Sequence, residues 1–141
     1  MTLTALVVDA NIVIAALLRD AGTRKALLSD KSRLYSPAFL RQELRKHAGE
    51  FAKKLGTPEA AVETALDELL DAANVEVLGL DAYASFLQQA RKLSPDPKDA
   101  PYFAAALSLG CPIWSQDAAL KRQCKIAVLS TAEVIAGQAK A

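Results

Sequence analysis

Five carboxylates in this chain stand where a fold could use them. Asp9 directly follows the apolar run TALVV, and Asp117 follows a second apolar run in IWSQD. Asp99 opens an alanine-rich segment, after a loop that also holds Asp96. Glu43 lies in the second turn of a helix expected from Pro37. If the apolar runs are strands of one open α/β sheet, their carboxyl ends share one edge, which is where such sheets bind ligands. Carboxylates brought together without partners repel one another. A divalent cation among them removes the conflict. An all-oxygen donor set suits Mg²⁺ or Mn²⁺, and Mg²⁺ takes few carboxylates and completes its shell with water and phosphate oxygens. Such an ion acidifies bound water and neutralises charge growing on a phosphate. The residue types therefore point to metal-assisted phosphodiester chemistry.

Each of these residues also has a plainer reading. Asp9, Asp99 and Asp117 are all candidate helix N-caps, favoured there by the helix dipole. Asn11 is either a cap itself or a hydrogen-bond partner that holds Asp9. Glu43, beside Arg41, Arg45 and Lys46, reads equally as a solvated helix residue, and Glu50 competes with it on the same helix. Asp96, in SPDPK, reads as a turn residue. His47, Cys111 and Cys124 read as structural. One histidine excludes a multi-histidine metal site, and two unpatterned cysteines make neither a zinc site nor a disulfide framework.

The elements that must position these groups alternate along the chain. Strands are expected at 4–8, 33–36, 75–78, 113–115 and 126–129, each a short apolar or β-branched run. Helices are expected over 11–19 and over 24–29, the second capped by Thr23 after a break at Gly22. A longer helix should run from Pro37 to Leu55 behind a Ser36 cap, with Leu40, Leu44, Ala48, Phe51 and Leu55 on one stripe. Thr57-Pro58 repeats that start signal. Asp81 should cap a helix to Leu93, an apolar helix should fill 100–109 before Gly110, and a short one should follow Asp117. Ser130 and Glu133 form a capping box for the last helix. The connections are too long for hairpins, so the sheet should be parallel, with right-handed crossovers and helices on both faces.

With 141 residues, 52% of them hydrophobic and 23% charged, the chain is expected to form a single domain over residues 1–141. No apolar run approaches the roughly 18 residues of a membrane span, and no signal peptide is visible, so a soluble cytoplasmic protein is expected. The net charge of +1 makes no strong case for nucleic acid. The balance changes if the acids are pooled in a pocket: without Asp9, Glu43, Asp96, Asp99 and Asp117, eleven acids face 17 basic residues. That surplus would attract a phosphate backbone. Arg19, Arg24, Lys25, Arg41, Arg45 and Lys46 are its candidates near the strand ends.

Taken in order, DANIVI after the first strand, a glutamate on the helix after the second, DPKDAPYFAAALSLG, and PIWSQDAAL after the next strand resemble the PIN domain family. DPKDAPYFAAAL and PIWSQD are the most specific pieces, and the resemblance covers nearly the whole chain. It implies a small Rossmann-like α/β fold, a five-stranded parallel sheet flanked by helices, and a metal-dependent ribonuclease that leaves a 5′-phosphate. Asp9, Glu43, Asp99 and Asp117 then correspond to the family's four catalytic and metal-binding acids. Asn11 corresponds to the polar neighbour of the first, Ser115 to the hydroxyl residue before the fourth, and Asp96 to an auxiliary acid. The aromatic residue frequent after the fourth acid is replaced, with Leu120 following AA. The resemblance further implies Mg²⁺ or Mn²⁺ as cofactor and RNA as substrate. It also implies an antitoxin partner as in VapC-like toxins, and a homodimer. A housekeeping RNA-processing nuclease and a non-catalytic binding module on the same fold are the alternatives; a metal held by Asp9 and Asp99 would exclude the second. A dinucleotide-binding fold lacks its G-x-G-x-x-G here. A haloacid-dehalogenase phosphatase lacks DxDxT, and a response-regulator receiver lacks its paired acids.

Overall fold

A computed structural model describes residues 4–18 and 20–140; Arg19 and the first three residues lie outside them. Five strands form one sheet: β1 (Thr4–Val8), β2 (Ser32–Pro37), β3 (Glu76–Leu78), β4 (Ile113–Trp114) and β5 (Val128–Leu129). Their order is β3-β2-β1-β4-β5 and every pairing is parallel. Among the described residues, seven α-helices lie between strands, α1 (Ala10–Leu17), α2 (Ala21–Leu27), α3 (Phe39–Leu55), α4 (Glu59–Ala72), α5 (Leu80–Tyr83), α6 (Leu87–Leu93) and α7 (Ala100–Leu109), and α8 (Thr131–Ala139) follows the last. No helix among the described residues is long and apolar enough to cross a membrane.

The strand alternation divides the interior into two cores. Leu6, Val8, Leu34 and Trp114 face one side of the sheet and pack with α1, α2, α3, α4 and α8. Val7, Ile113 and Val128 face the other and pack with α7 and the segment before it. Both faces of the central strand are thus covered, which is why TALVV is continuously apolar. The order reverses at β1: β2 lies on one side of it and β4 on the other. The carboxyl ends of β1 and β4 therefore border the crevice where an open α/β sheet binds ligands.

Several start signals act differently from the sequence expectation. Gly22 does not break the chain, and Thr23 does not cap α2. Asp20 caps it, accepting the Thr23 amide at 3.1 Å, while the Thr23 side chain is buried against Thr131. Ser36 and Pro37 belong to β2 rather than to the helix start. The Ser36 hydroxyl is drawn inward by the Val8 carbonyl, which accepts its hydrogen bond at 2.8 Å. The next amide, Ala38, continues the ladder to Leu78, so α3 begins only at Phe39. Thr57 closes α3 instead of starting α4: its amide returns to the Ala52 carbonyl at 3.1 Å, across Gly56 in the left-handed region at φ 65°. Asp81 lies in the first turn of α5, behind Gly79 at the cap position. The expected helix to Leu93 is interrupted by a 3-10 turn at Ala84–Phe86, which divides it into α5 and α6. Leu55, expected on the buried stripe, is 54% exposed. The capping box of Ser130 and Glu133 forms as expected.

Ser36 is fully buried and joins β2 to the last carbonyl of β1. Ser36→Ala leaves that carbonyl without the donor, so it should lower unfolding stability by about 1–2 kcal/mol, read by urea denaturation. An unchanged midpoint would show that the carbonyl finds another partner.

Candidate active site

Asp9 is the first residue after β1 and the N-cap of α1. Its side chain is 5% exposed. One carboxylate oxygen accepts the Ile12 amide at 3.2 Å, and the nearby Ser115 hydroxyl also favours the charged form of the carboxylate. Ser115 follows β4 and is itself buried; its oxygen accepts the Asp117 amide at 3.0 Å. One hydroxyl thus stands between the ends of the two strands at the crevice. Burial pushes the Asp9 carboxyl up to about 7, against the pull of these two donors and helped by the charges of Asp99 and Glu43.

Asp99 stands at the cap position of α7, but its side chain caps nothing. The plain N-cap reading therefore does not account for it. It is half-buried and its carboxyl is pushed up to about 6, first by burial and then by the charges of Glu43, Asp96 and Asp117; Lys98 pulls the other way. Glu43 reaches the cluster from α3 and accepts a hydrogen bond from the Tyr102 hydroxyl. Glu50 is turned away, an exposed partner of His47 at 3.6 Å. The register left open on this helix is therefore resolved toward Glu43.

The other candidates divide. Asp117 caps the 3-10 turn Ala118–Arg122 through the Ala119 amide at 3.0 Å, and its charge also raises Asp99. It is a cap and a member of the cluster at once. Asp96 is exposed, caps the turn Pro97–Asp99 through the Lys98 amide, and touches the cluster only through its charge on Asp99. Asn11 is exposed in the first turn of α1 and is not among the groups that hold Asp9, because Asp9 itself occupies the cap.

Among the expected cations, Arg24 and Lys25 are in the last turn of α2, which leads into the amino end of β2. They belong to the opposite edge of the sheet. Arg41 is 3.7 Å from Asp67, and Arg45 lines the same cleft between α3 and α4. Lys98 acts on Asp99 instead, and with Arg91 and Phe39 it borders a groove of about 480 Å³. The sequence reading missed Lys98, although it stands next to Asp99. It also missed Tyr102, one turn beyond Asp99 on α7; the available signal was that a buried phenol needs a partner.

Among the described residues, no three of His, Cys, Asp and Glu stand close enough to hold an ion unaided. The donor chemistry still fits a hard cation. It is all oxygen, its central carboxylate is buried among like charges, and Mg²⁺ commonly uses one or two carboxylates with water for the rest.

The raised carboxyls have a consequence for stability. Between the ordinary value of 3.8 and about 7, folded Asp9 holds a proton that the unfolded chain has released. Its contribution is present below that window and is lost as pH rises through it. Asp9→Asn keeps an acceptor for the Ile12 amide and has nothing to titrate. In EDTA, the melting temperature of the wild type should fall relative to this variant between pH 4 and 7. Parallel curves would show that the Asp9 carboxyl is not buried as described.

A family model described as the PIN domain matches residues 7–136. No curated protein gives a match. Several solved structures share the fold, two of them as follows. One, VapBC2 from Rickettsia felis bound to a DNA fragment from their promoter, matches with a TM-score of 0.68 at 13% identity, over 90% of this chain and 98% of that one. The other, PAE2754 from Pyrobaculum aerophilum, matches with a TM-score of 0.69 at 22% identity, over 99% of this chain and 91% of that one. With its parallel sheet reversing at β1, and a family match that spans the sheet and the acids around it, this chain belongs to the PIN domain family.

Proposed function

We propose that this protein is a metal-dependent endoribonuclease, the toxin of a type II toxin–antitoxin pair. The observation that carries the nuclease reading is the buried Asp9 carboxylate, facing the charges of Asp99 and Glu43 at the strand-order reversal. Asp9 and Asp99 would hold Mg²⁺ or Mn²⁺ most directly, with Glu43 and Asp117 completing the acidic cluster around it or acting through waters. The ion, when bound, supplies an activated water and neutralises charge on the phosphate under attack. The chain does the positioning. Ile12 and Ser115 fix the Asp9 carboxylate, and the rigid start of α7 fixes Asp99. Lys98 and Arg91, beside the groove along α3 and α7, attract the RNA backbone. The same groove is what an antitoxin would cover. That a VapBC2 complex shares the fold supports the toxin assignment, and the family resemblance supports a homodimer. A cytoplasmic place is part of the same proposal; no helix among the described residues is long and apolar enough to cross a membrane.

Purified protein with Mg²⁺ or Mn²⁺ should cleave single-stranded RNA, and EDTA should stop it. Asp9→Asn and Asp99→Asn should each slow cleavage by at least ~100-fold, the scale of a major electrostatic contribution. Undiminished cleavage by both variants would overturn the assignment. Binding should also register as stability. With an assumed dissociation constant of about 1 mM, 10 mM Mg²⁺ adds about 1.4 kcal/mol. A thermal scan should show a rise of roughly 3–8 °C. Asp99→Asn should melt higher than the wild type in EDTA, because repulsion is relieved, and should lose most of the Mg²⁺ response. A variant that melts like the wild type with and without Mg²⁺ would leave Asp99 no part in a metal centre.

A further inference from the structure

Tyr102 lies one turn after Asp99 on α7 and is 1% exposed. Its hydroxyl donates to Glu43 on α3, and its oxygen faces the backbone amide of Ala10, the residue after Asp9. One hydroxyl therefore touches or adjoins all three segments that carry the central acids. The ring is held in turn by Phe39, edge to face with centroids 6.1 Å apart. Phenylalanine would fill the same volume, and a buried hydroxyl is costly unless bonded. A packing role thus accounts for the ring and leaves the hydroxyl unexplained. Among the described residues no lysine or arginine forms an ion pair with Glu43. A glutamate has several rotamers to lose, and Tyr102 is the group that restrains it.

We infer that Tyr102 is a positioning residue for Glu43: its hydroxyl occupies one carboxylate oxygen, keeps the side chain folded over the start of α7, and leaves the second oxygen to the site. The inference rests on the metal-centre reading above. A phenol has a single proton to donate, and here it goes to Glu43. The backbone amide of Ala10 near the phenol oxygen is a donor and does not compete for that proton.

The test is Mn²⁺ binding, followed by electron paramagnetic resonance of the free ion, on wild type and Tyr102→Phe. Loss of an outer partner of a metal ligand weakens metal binding about 10–100-fold, and Tyr102→Phe should fall in that range while keeping its metal-free circular dichroism. Glu43→Asp retains the charge but withdraws the carboxylate from the phenol. It should lose a similar factor, and the double variant should lose no more than the worse single one, as coupled neighbours do. Wild-type Mn²⁺ affinity in Tyr102→Phe, or additive losses in the double variant, would overturn the positioning role and leave the metal centre standing. Should Tyr102→Phe fail to fold, wild-type affinity in Glu43→Asp would overturn it instead. A wild type that binds no Mn²⁺ would overturn the metal-centre reading and this inference with it.

Discussion

Removing the Asp9 carboxylate from water is the constraint on which the site depends. The residue ends the central strand, so both faces of the sheet, and the helices covering them, close around it. Desolvation is the largest cause that drives its carboxyl up to about 7, with the charges of Asp99 and Glu43 behind it, although two donors pull the other way. A carboxylate placed there purely to cap α1 would sit in solvent at a helix start, where capping costs no desolvation. Its burial is a cost that the fold bears, and such costs concentrate at functional sites.

The rest of the arrangement follows from how that cost is distributed. Ser115 ties the end of β4 to Asp9, and Ser36 ties β2 to the carbonyl of Val8, directly before it. The hydroxyls of both neighbouring strands thereby converge on the carboxyl end of β1. α7 does the same from the side. Its Ala-rich body, with Phe103 and four buried alanines, lies close against the sheet, so its first turn has little freedom. Asp99 and Tyr102 occupy that first turn. A rigid, apolar helix holds polar groups at its tip, and the polar groups owe their placement to residues that do no chemistry.

Much of this was legible in the residues. β1 and α7 coincide with the apolar runs that announce them, and the capping box of Ser130 and Glu133 is local by construction. The strand alternation, and with it the parallel sheet, follows from element lengths. What escaped depends on contacts between distant segments. Ser36 before Pro37 is locally a good helix start, yet a carbonyl 28 residues away claims its hydroxyl. Asp20 and Thr23 compete for one helix end, and the choice is made by burial of Thr23 against Thr131. Glu43 and Glu50 are equivalent on a helix read alone; only Tyr102, from the far half of the chain, separates them. The cations were misplaced for a similar reason: whether a basic residue lies at the carboxyl or amino edge depends on which way its helix runs, as with Arg24 and Lys25.

The charges show a further division. Three exposed acids elsewhere have partners within the chain: Asp67 has Arg41, Glu50 has His47 and Glu133 has Lys121. These pairs are solvated and contribute little. The acids of the cluster, where pairing would matter most, have no such partners among the described residues. Lys98 is near enough to act on Asp99 but is exposed, and it does not offset the three carboxylates that push against it. The fold could have buried an arginine there, and its planar, bidentate fork would have satisfied two carboxylates at once. It places Tyr102 instead, a neutral donor that holds Glu43 without cancelling its charge. Under the proposed function, compensation falls to a bound cation, and the oxygen donors that line the crevice suit a small hard one.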